Sequence, residues 1–587
     1  MKKLTNAPVL LLACAFLLTG AKTPFAFCSW SVLALAFSSV ALRRRTLTDN
    51  SHLLFLASVA SILVLQVYSL DPTNSLFWSV QYLVYACLWL ALQAMPVDTT
   101  PAAFWNAIVC LAAITGALTT LQWFQHAPPY GTLPLNPNFN AVWMAALAAA
   151  LTAKQRASWR EHLLLLWLCI LIALGSSRSG LLALVAGMSV SFAHRYSKHK
   201  VFLGLAVLVL LAFFIPDQWF LNRLHFFENG ARLKMSQLAL VSMTDYPLTG
   251  YGPGNFEIAY QRHAFPTGEA VRYGHSSAFA HNDYLQAGCE LGWPAALFLC
   301  GWFFVLIARP IRPDQPLALP AKAILSALGI AAFFNPIFKM PLLGYLAIFS
   351  ASCLSRTRDV DPRTPPQAMP LAVRWIPVLT LLPVLWCGVR SYWVNRQEWR
   401  RILNLNPHDA EAWHNLAYRA SDKQESVRDH ERAVLESPYQ LYYIEALARS
   451  LESIPGQEGI YPAIEAYLKA IRLAPTRATN YLGIVRLLWR AGEPREALEW
   501  ADHARRLEPN YWECDLWKAR CFIQLGKKNR AQFILKNVIW RHAQFLQTAL
   551  STPSSPYEQA ILGYDERIIQ EELSRLSPTR SVLKGVE

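Results

Sequence analysis

Apolar residues in this chain come in runs of about 15–22 as far as about position 390, and then the runs stop. A helix rises about 1.5 Å per residue, so runs of this length can cross a hydrocarbon layer about 30 Å thick. Lipid offers no hydrogen bonds, so such segments satisfy every backbone group internally, as helices. The runs are read as spans at roughly 7–20, 24–42, 52–70, 75–95, 102–124, 138–153, 161–175, 178–194, 200–215, 282–308, 319–337, 340–355 and 371–390. Lys2 and Lys3 ahead of the first run give it the look of a signal peptide, but a second run follows within a few residues. It is therefore read as the first span.

The charge distribution sets the orientation. The formal net charge is +15, and charged residues make up only 16% of the chain, against about a quarter in soluble proteins. Much of the basic excess sits in short loops: Arg43, Arg44 and Arg45; Lys154, Arg156 and Arg160; Arg195, Lys198 and Lys200; Arg309 and Arg312; Arg356, Arg358 and Arg363. With the N-terminus inside, all of these fall on the cytoplasmic side, and outer loops keep only Lys22, Arg178 and Lys339 among short-loop cations. This accounts for the charge without a nucleic-acid partner. The alternation places residues 216–281, and everything after about 391, outside.

From about residue 398 the apolar runs give way to amphipathic helices with a repeat. Ala463, Ala497 and Ala531 are spaced by 34, as are Ala470 and Ala504, and Leu473-Ala474-Pro475 is echoed by Leu507-Glu508-Pro509. That period is the tetratricopeptide period. The expected fold class is thus all-α: a polytopic membrane bundle of about 12–13 spans followed by a tetratricopeptide-type α-solenoid. The expected divisions are membrane helices over 1–215, an outer loop over 216–281, membrane helices over 282–390, repeats over 391–550 and a tail over 551–587. A repeat stack usually binds a protein partner on its concave face. Of the cysteines only Cys514 and Cys521 lie in the polar part. Seven positions apart on one helix, they would be about 10 Å apart, too far for a disulfide. No metal-spaced His/Cys cluster occurs, so no metal is expected.

The outer loop carries the residues suited to chemistry. Gly250, Gly252 and Gly254 lie within Pro247-Leu248-Thr249-Gly250-Tyr251-Gly252-Pro253-Gly254-Asn255-Phe256 and allow a tight turn. Asn282, Gln286 and Glu290 recur every four residues and make a polar stripe, with His281, Tyr284 and Gly288 on a neighbouring face. A polar stripe at the mouth of a span either lines a cavity or binds something. The alternative is simple capping by Asn282 or Asp283. Arg178, in Ser176-Ser177-Arg178-Ser179-Gly180, sits at an outer mouth where orientation does not call for positive charge. It suits phosphate recognition, or else snorkels to the headgroups. Arg232, after Gly230, has a similar claim.

The order of these motifs, with Asn136-Pro137-Asn138 ahead of the sixth span, resembles the O-antigen ligase and polymerase superfamily over about residues 120–350. The resemblance implies a metal-independent, inverting glycosyltransferase of the bacterial inner membrane, with the loop and the repeats in the periplasm. It implies transfer of a glycan from an undecaprenyl-diphosphate carrier, without cofactor, to an acceptor hydroxyl. The acceptor would be the lipid A core in a ligase, a second carrier-linked unit in a polymerase, or a protein in an oligosaccharyltransferase. His281 is the expected general base and Arg178 and Arg232 the diphosphate ligands, with Asn138, Asn282, Tyr284, Gln286 and Glu290 as further substrate contacts. A lipid-linked glycan transporter and a membrane-anchored scaffold are the other readings. The repeat tail departs from the simplest ligase pattern and leaves the acceptor open.

Overall fold

The computed structural model describes residues 6–18, 23–43, 46–47, 51–94, 101–125, 137–175, 177–195, 231–268, 270–311, 315–355, 367–548 and 555–576. Apart from one antiparallel two-residue bridge, Thr46–Leu47 with Gln367–Ala368, the described regular structure is helical. The expected span at 200–215 and Asn136 lie outside the described residues. The chain forms two compact units: Met1–Phe256 with Phe279–Glu398, and Glu257–Ala278 with Trp399–Glu587.

In the first unit, α1 (Ala7–Leu17), α2 (Pro24–Arg43), α3 (Ser51–Val67), α4 (Pro72–Gln93), α5 (Pro101–Phe124), α6 (Pro137–Ala153), α7 (Trp159–Leu174) and α8 (Arg178–Arg195) follow the apolar runs. After α9 (Ala231–Ser242) and the short α10 (Phe256–Arg262), which apart from Phe256 belongs to the second unit, come α11 (Asp283–Leu291), α12 (Trp293–Ala308), α13 (Ala318–Ala331), α14 (Pro341–Ser355) and α15 (Leu371–Asn395). Among the described residues, Pro24–Arg43, Pro72–Gln93, Ala102–Phe124 and Leu371–Asn395 are long and apolar enough to cross a membrane. Shorter apolar helices, including Trp293–Ala308 and Pro341–Ser355, stand beside them. Leu297, Phe298 and Phe304 on α12 and Leu371, Leu379 and Leu382 on α15 face outward. These are the surfaces of a multi-pass membrane protein, where lipid replaces water around apolar side chains.

The run expected as one span at 282–308 is two helices. Gly292, at φ +88°, ends α11, and Pro294 lies in the first turn of α12. A glycine in the left-handed region stops one helix, and a proline in the first turn starts the next without losing a needed hydrogen bond.

Helices α6 and α8 run side by side in the same direction. Gly180 abuts Ala141, Gly187 abuts Ala149, and Thr152 Oγ1 lies 3.2 Å from Ser191 Oγ. Small residues let two backbones approach closely where no hydrophobic force distinguishes protein from lipid. The parallel register sets the N-termini of α6 and α8 at the same end, which places Asn138 and Arg178 there together.

The second unit contains α16 (Trp399–Leu405), α17 (Ala410–Ala417), α18 (Lys423–Glu436), α19 (Leu441–Glu452), α20 (Ile460–Leu473), α21 (Ala478–Ala491), α22 (Pro494–Leu507), α23 (Trp512–Gln524), α24 (Lys528–Thr548), α25 (Pro556–Leu562) and α26 (Glu566–Leu576). From α17 to α24 each helix packs on the next in sequence. The alanines at the repeated spacing, Ala463, Ala470, Ala497, Ala504 and Ala531, are all buried. Their small side chains set the close approach of neighbouring helices. Cys514 and Cys521 are buried and unbridged.

Candidate functional site

The glycine-rich turn is pinned between α11 and the start of α4. Tyr251 N donates to Cys289 O at 2.9 Å, and Gly252 N donates to Glu290 O at 2.9 Å. Gly254 has φ +80°, and a Cβ there would overlap the Trp78 indole. Only glycine meets both conditions, the backbone angle and the close approach. Asn255 completes the pin: its amide donates to Ser69 Oγ (2.9 Å), Ser75 Oγ (3.1 Å) and Tyr251 O (3.0 Å).

The polar stripe divides. Asn282 is the N-cap of α11, its Oδ1 accepting from Tyr284 N at 3.0 Å and Leu285 N at 3.1 Å. Capping is thus one of its tasks. Tyr284 is buried and donates to Gly329 O at 2.8 Å. Gln286 and Glu290 are turned into the protein. Gln286 Oε1 accepts from Ala280 N at 2.5 Å, and its amide donates to Glu290. Glu290 Oε2 accepts from Gly254 N at 2.8 Å and from Lys339 Nζ at 2.6 Å, with side-chain exposures of only 1% and 3% for the ion pair. Lys339 Nζ also lies 4.0 Å from the Trp78 ring centre. The carboxylate therefore joins α11, the glycine turn and the short 3₁₀ turn Ile337–Lys339. That turn is held a second time by Asp283, which accepts from Ile337 N at 2.6 Å and Phe338 N at 3.2 Å.

These bonds surround His281. It is half-buried and has φ +54°, one of two non-glycine residues in the left-handed region among the described residues. That conformation costs about 1 kcal/mol or more and persists where the neighbours fix it. Here Ala280 is fixed by Gln286 and Asn282 by its cap, while Asp283 N donates to Ala332 O at 2.7 Å.

Arg178 begins α8 and is exposed; Arg232 lies in the first turn of α9 and is half-buried. Burial, and then the Arg178 guanidinium, lower the Arg232 pKa from the ordinary arginine value. The two cations from separate helices therefore sense one another. Asn138 shares the bundle end with Arg178 and is half-buried.

Lys339 and Asp283 were not among the residues the sequence pointed to as a site, although Lys339 carried the same signal as Arg178, a cation in a short outer loop. Its partner Glu290 is 49 positions away, a separation that no spacing argument bridges. Among the described residues no group of three or more His, Cys, Asp or Glu side chains is placed to hold a metal ion.

No curated protein matches the chain. Among solved structures, two crystal structures of MamA align at a TM-score of 0.24. One covers 28% of this chain and 86% of MamA at 15% identity, the other 30% and 98% at 14% identity. A score that low supports no inference of fold or function. Residues 163–300, which span α7 to α12 and contain Arg178, Arg232 and His281, match the model of the O-antigen ligase family. Over that stretch the chain is similar to O-antigen ligases, and the match supports a place in the O-antigen ligase and polymerase superfamily of membrane glycosyltransferases.

Proposed function

We propose that the protein transfers a glycan from an undecaprenyl-diphosphate carrier to an acceptor hydroxyl on the periplasmic side of the inner membrane, in the manner of an O-antigen ligase. What supports this reading is the match of residues 163–300, which contain Arg178, Arg232 and His281, to the O-antigen ligase family. Guanidinium groups suit the recognition of a sugar diphosphate, whose oxygens they can pair with two at a time. As the glycosidic bond breaks, negative charge grows on the leaving diphosphate, so fixed guanidinium groups stabilise the transition state more than the ground state.

His281 is the base in this reading. The acceptor O–H attacks C1 of the donor sugar, and its proton passes to the imidazole. The C1–O bond to the diphosphate breaks, releasing the carrier diphosphate. Attack opposite the leaving group inverts the anomeric centre. Imidazole suits this task near neutral pH, and its strained, doubly fixed backbone suits a group that must be held in place. Asn138, Asn282 and Tyr284 are further substrate contacts in this reading. Gln286 and Glu290 act through the network that holds the glycine turn and His281. The bundle has about 12–13 spans. The tail is a periplasmic tetratricopeptide solenoid suited to a protein partner.

The test is product identity. Purified protein is mixed with a carrier-linked glycan and, separately, with lipid A core, more donor, or an acceptor protein. Single-step transfer to lipid A core supports the ligase reading. A ladder of longer carrier-linked glycans indicates a polymerase instead, and modified protein indicates an oligosaccharyltransferase. No carrier release from a folded sample with its matching donor refutes the transferase reading.

A further inference from the structure

The chain leaves the first unit after Phe256, directly beyond the pinned glycine turn, and returns at Phe279, two residues before His281. The excursion between them, Glu257–Ala278, is one compact body with the C-terminal helices. Its hold is on the backbone. Glu508, at the C-terminal end of α22, is fully buried. Its two carboxylate oxygens accept from consecutive amides, Arg272 N at 2.7 Å and Tyr273 N at 2.7 Å. Tyr557 of α25 donates to the same carboxylate at 3.2 Å. On either side, Asn510 Nδ2 donates to Ala270 O at 3.0 Å and Arg272 Nη1 donates to Arg506 O at 3.1 Å. Val271 is buried in the helical core with Tyr511, Tyr557 and Ile561. Gly274 lies so close to Glu558 that a Cβ would stand 2.9 Å from its Cγ.

A carboxylate that takes two successive N–H groups fixes the direction of the chain, because both oxygens and both amides must align. Buried, it has no water to exchange with, so removing it leaves two unsatisfied donors. The grip is thus independent of the loop's side chains at 272 and 273, and it sits eight residues from His281. A chain of that length reaches at most about 29 Å when extended. Tyr273 is held by the tail, and Asn282 by its cap on α11.

We propose that the C-terminal helical domain positions the catalytic loop, and that Glu508 is the positioning residue through which it does so. This rests on His281 being the base. The tail would then be a part of the transferase, aligning the segment that carries the base, in addition to any partner it binds.

The experiment compares full-length wild type and Glu508→Ala by hydrogen exchange over residues 270–282 and by transfer kinetics. The expected result is at least about tenfold faster exchange at Arg272 and Tyr273, faster exchange at 279–282, and at least about a tenfold lower kcat with donor KM within about twofold. Glu508→Gln, which keeps one accepting oxygen, should fall between. Unchanged exchange at 272–273 overturns the clamp. Faster exchange there with unchanged exchange at 279–282 and unchanged kcat overturns the positioning role. If Glu508→Ala does not fold, Asn510→Ala, which removes the bond to Ala270, gives the same readouts with the same expected direction. A fully active His281→Ala would sink the proposed base and leave the exchange test of the clamp standing.

Discussion

Replacing Lys339 by methionine removes the cation from a pair whose two members are all but inaccessible to water. Glu290 would keep the Gly254 amide and the Gln286 amide as neutral donors, but its charge would be uncompensated at 1% exposure. Breaking a buried pair in this way typically costs about 3–5 kcal/mol, most of it the charge left behind. Glu290→Gln leaves the ammonium facing Trp78 at 4.0 Å, and an aromatic face returns about 1–2 kcal/mol of that loss. The double variant buries no uncompensated charge. It should be more stable than the sum of the two single losses implies, by about 2 kcal/mol or more. Unfolding of the purified protein in mixed micelles against a rising fraction of denaturing detergent measures all three. Single losses below about 1 kcal/mol that simply add would refute the assignment of Glu290 and Lys339 as a coupled pair joining α11, the glycine turn and the 3₁₀ turn.

Other outcomes follow from the same geometry. Gly254→Ala combines a left-handed backbone with overlap on Trp78; it should cost about 2–5 kcal/mol, read as lost thermal stability in detergent. In the tail, burial first, then His430 and Arg449, push the His414 pKa down to about 3, and burial with Arg449 pushes His430 down to about 4. Unfolding restores a pKa of about 6.5, so between about pH 4 and 6.5 the unfolded chain binds more protons and stability falls as pH falls. From pH 7 to 5 the loss should be about 1–2 kcal/mol per histidine after allowance for solvent screening. It should shrink in His414→Phe, as followed by near-ultraviolet circular dichroism. Arg178→Lys should retain part of the transfer rate and Arg178→Ala almost none, since an ammonium keeps the charge but loses the bidentate fork.

The sequence revealed what depends on composition and period, and missed what depends on pairing across the chain. Apolar runs such as 24–42 became helices because lipid leaves no other way to satisfy the backbone. The alanines at 463, 497 and 531 are buried because a fixed spacing returns the same face to the core. The break at Gly292 was signalled by a glycine followed by Trp293-Pro294, but the unbroken hydropathy on either side concealed it. The stripe Asn282, Gln286, Glu290 was legible as a stripe. That Glu290 is neutralised by Lys339 and Gln286 holds Ala280 was not, because helical periodicity says which residues share a face and nothing about what that face meets. The approach of Glu508 to the amides of Arg272 and Tyr273 likewise depends on long-range packing.

Glycosyl transfer with a diphosphate leaving group, proposed for the segments of Arg178, Arg232 and His281, is read out by carrier release. Purified wild type, Arg178→Ala, Arg232→Ala and His281→Ala are each given a carrier-linked glycan and an acceptor, with equal insertion and folding verified. The expected result is release of undecaprenyl diphosphate by wild type and a loss of at least about a hundredfold in each variant. Wild-type rates in all three variants would exclude these residues from the reaction.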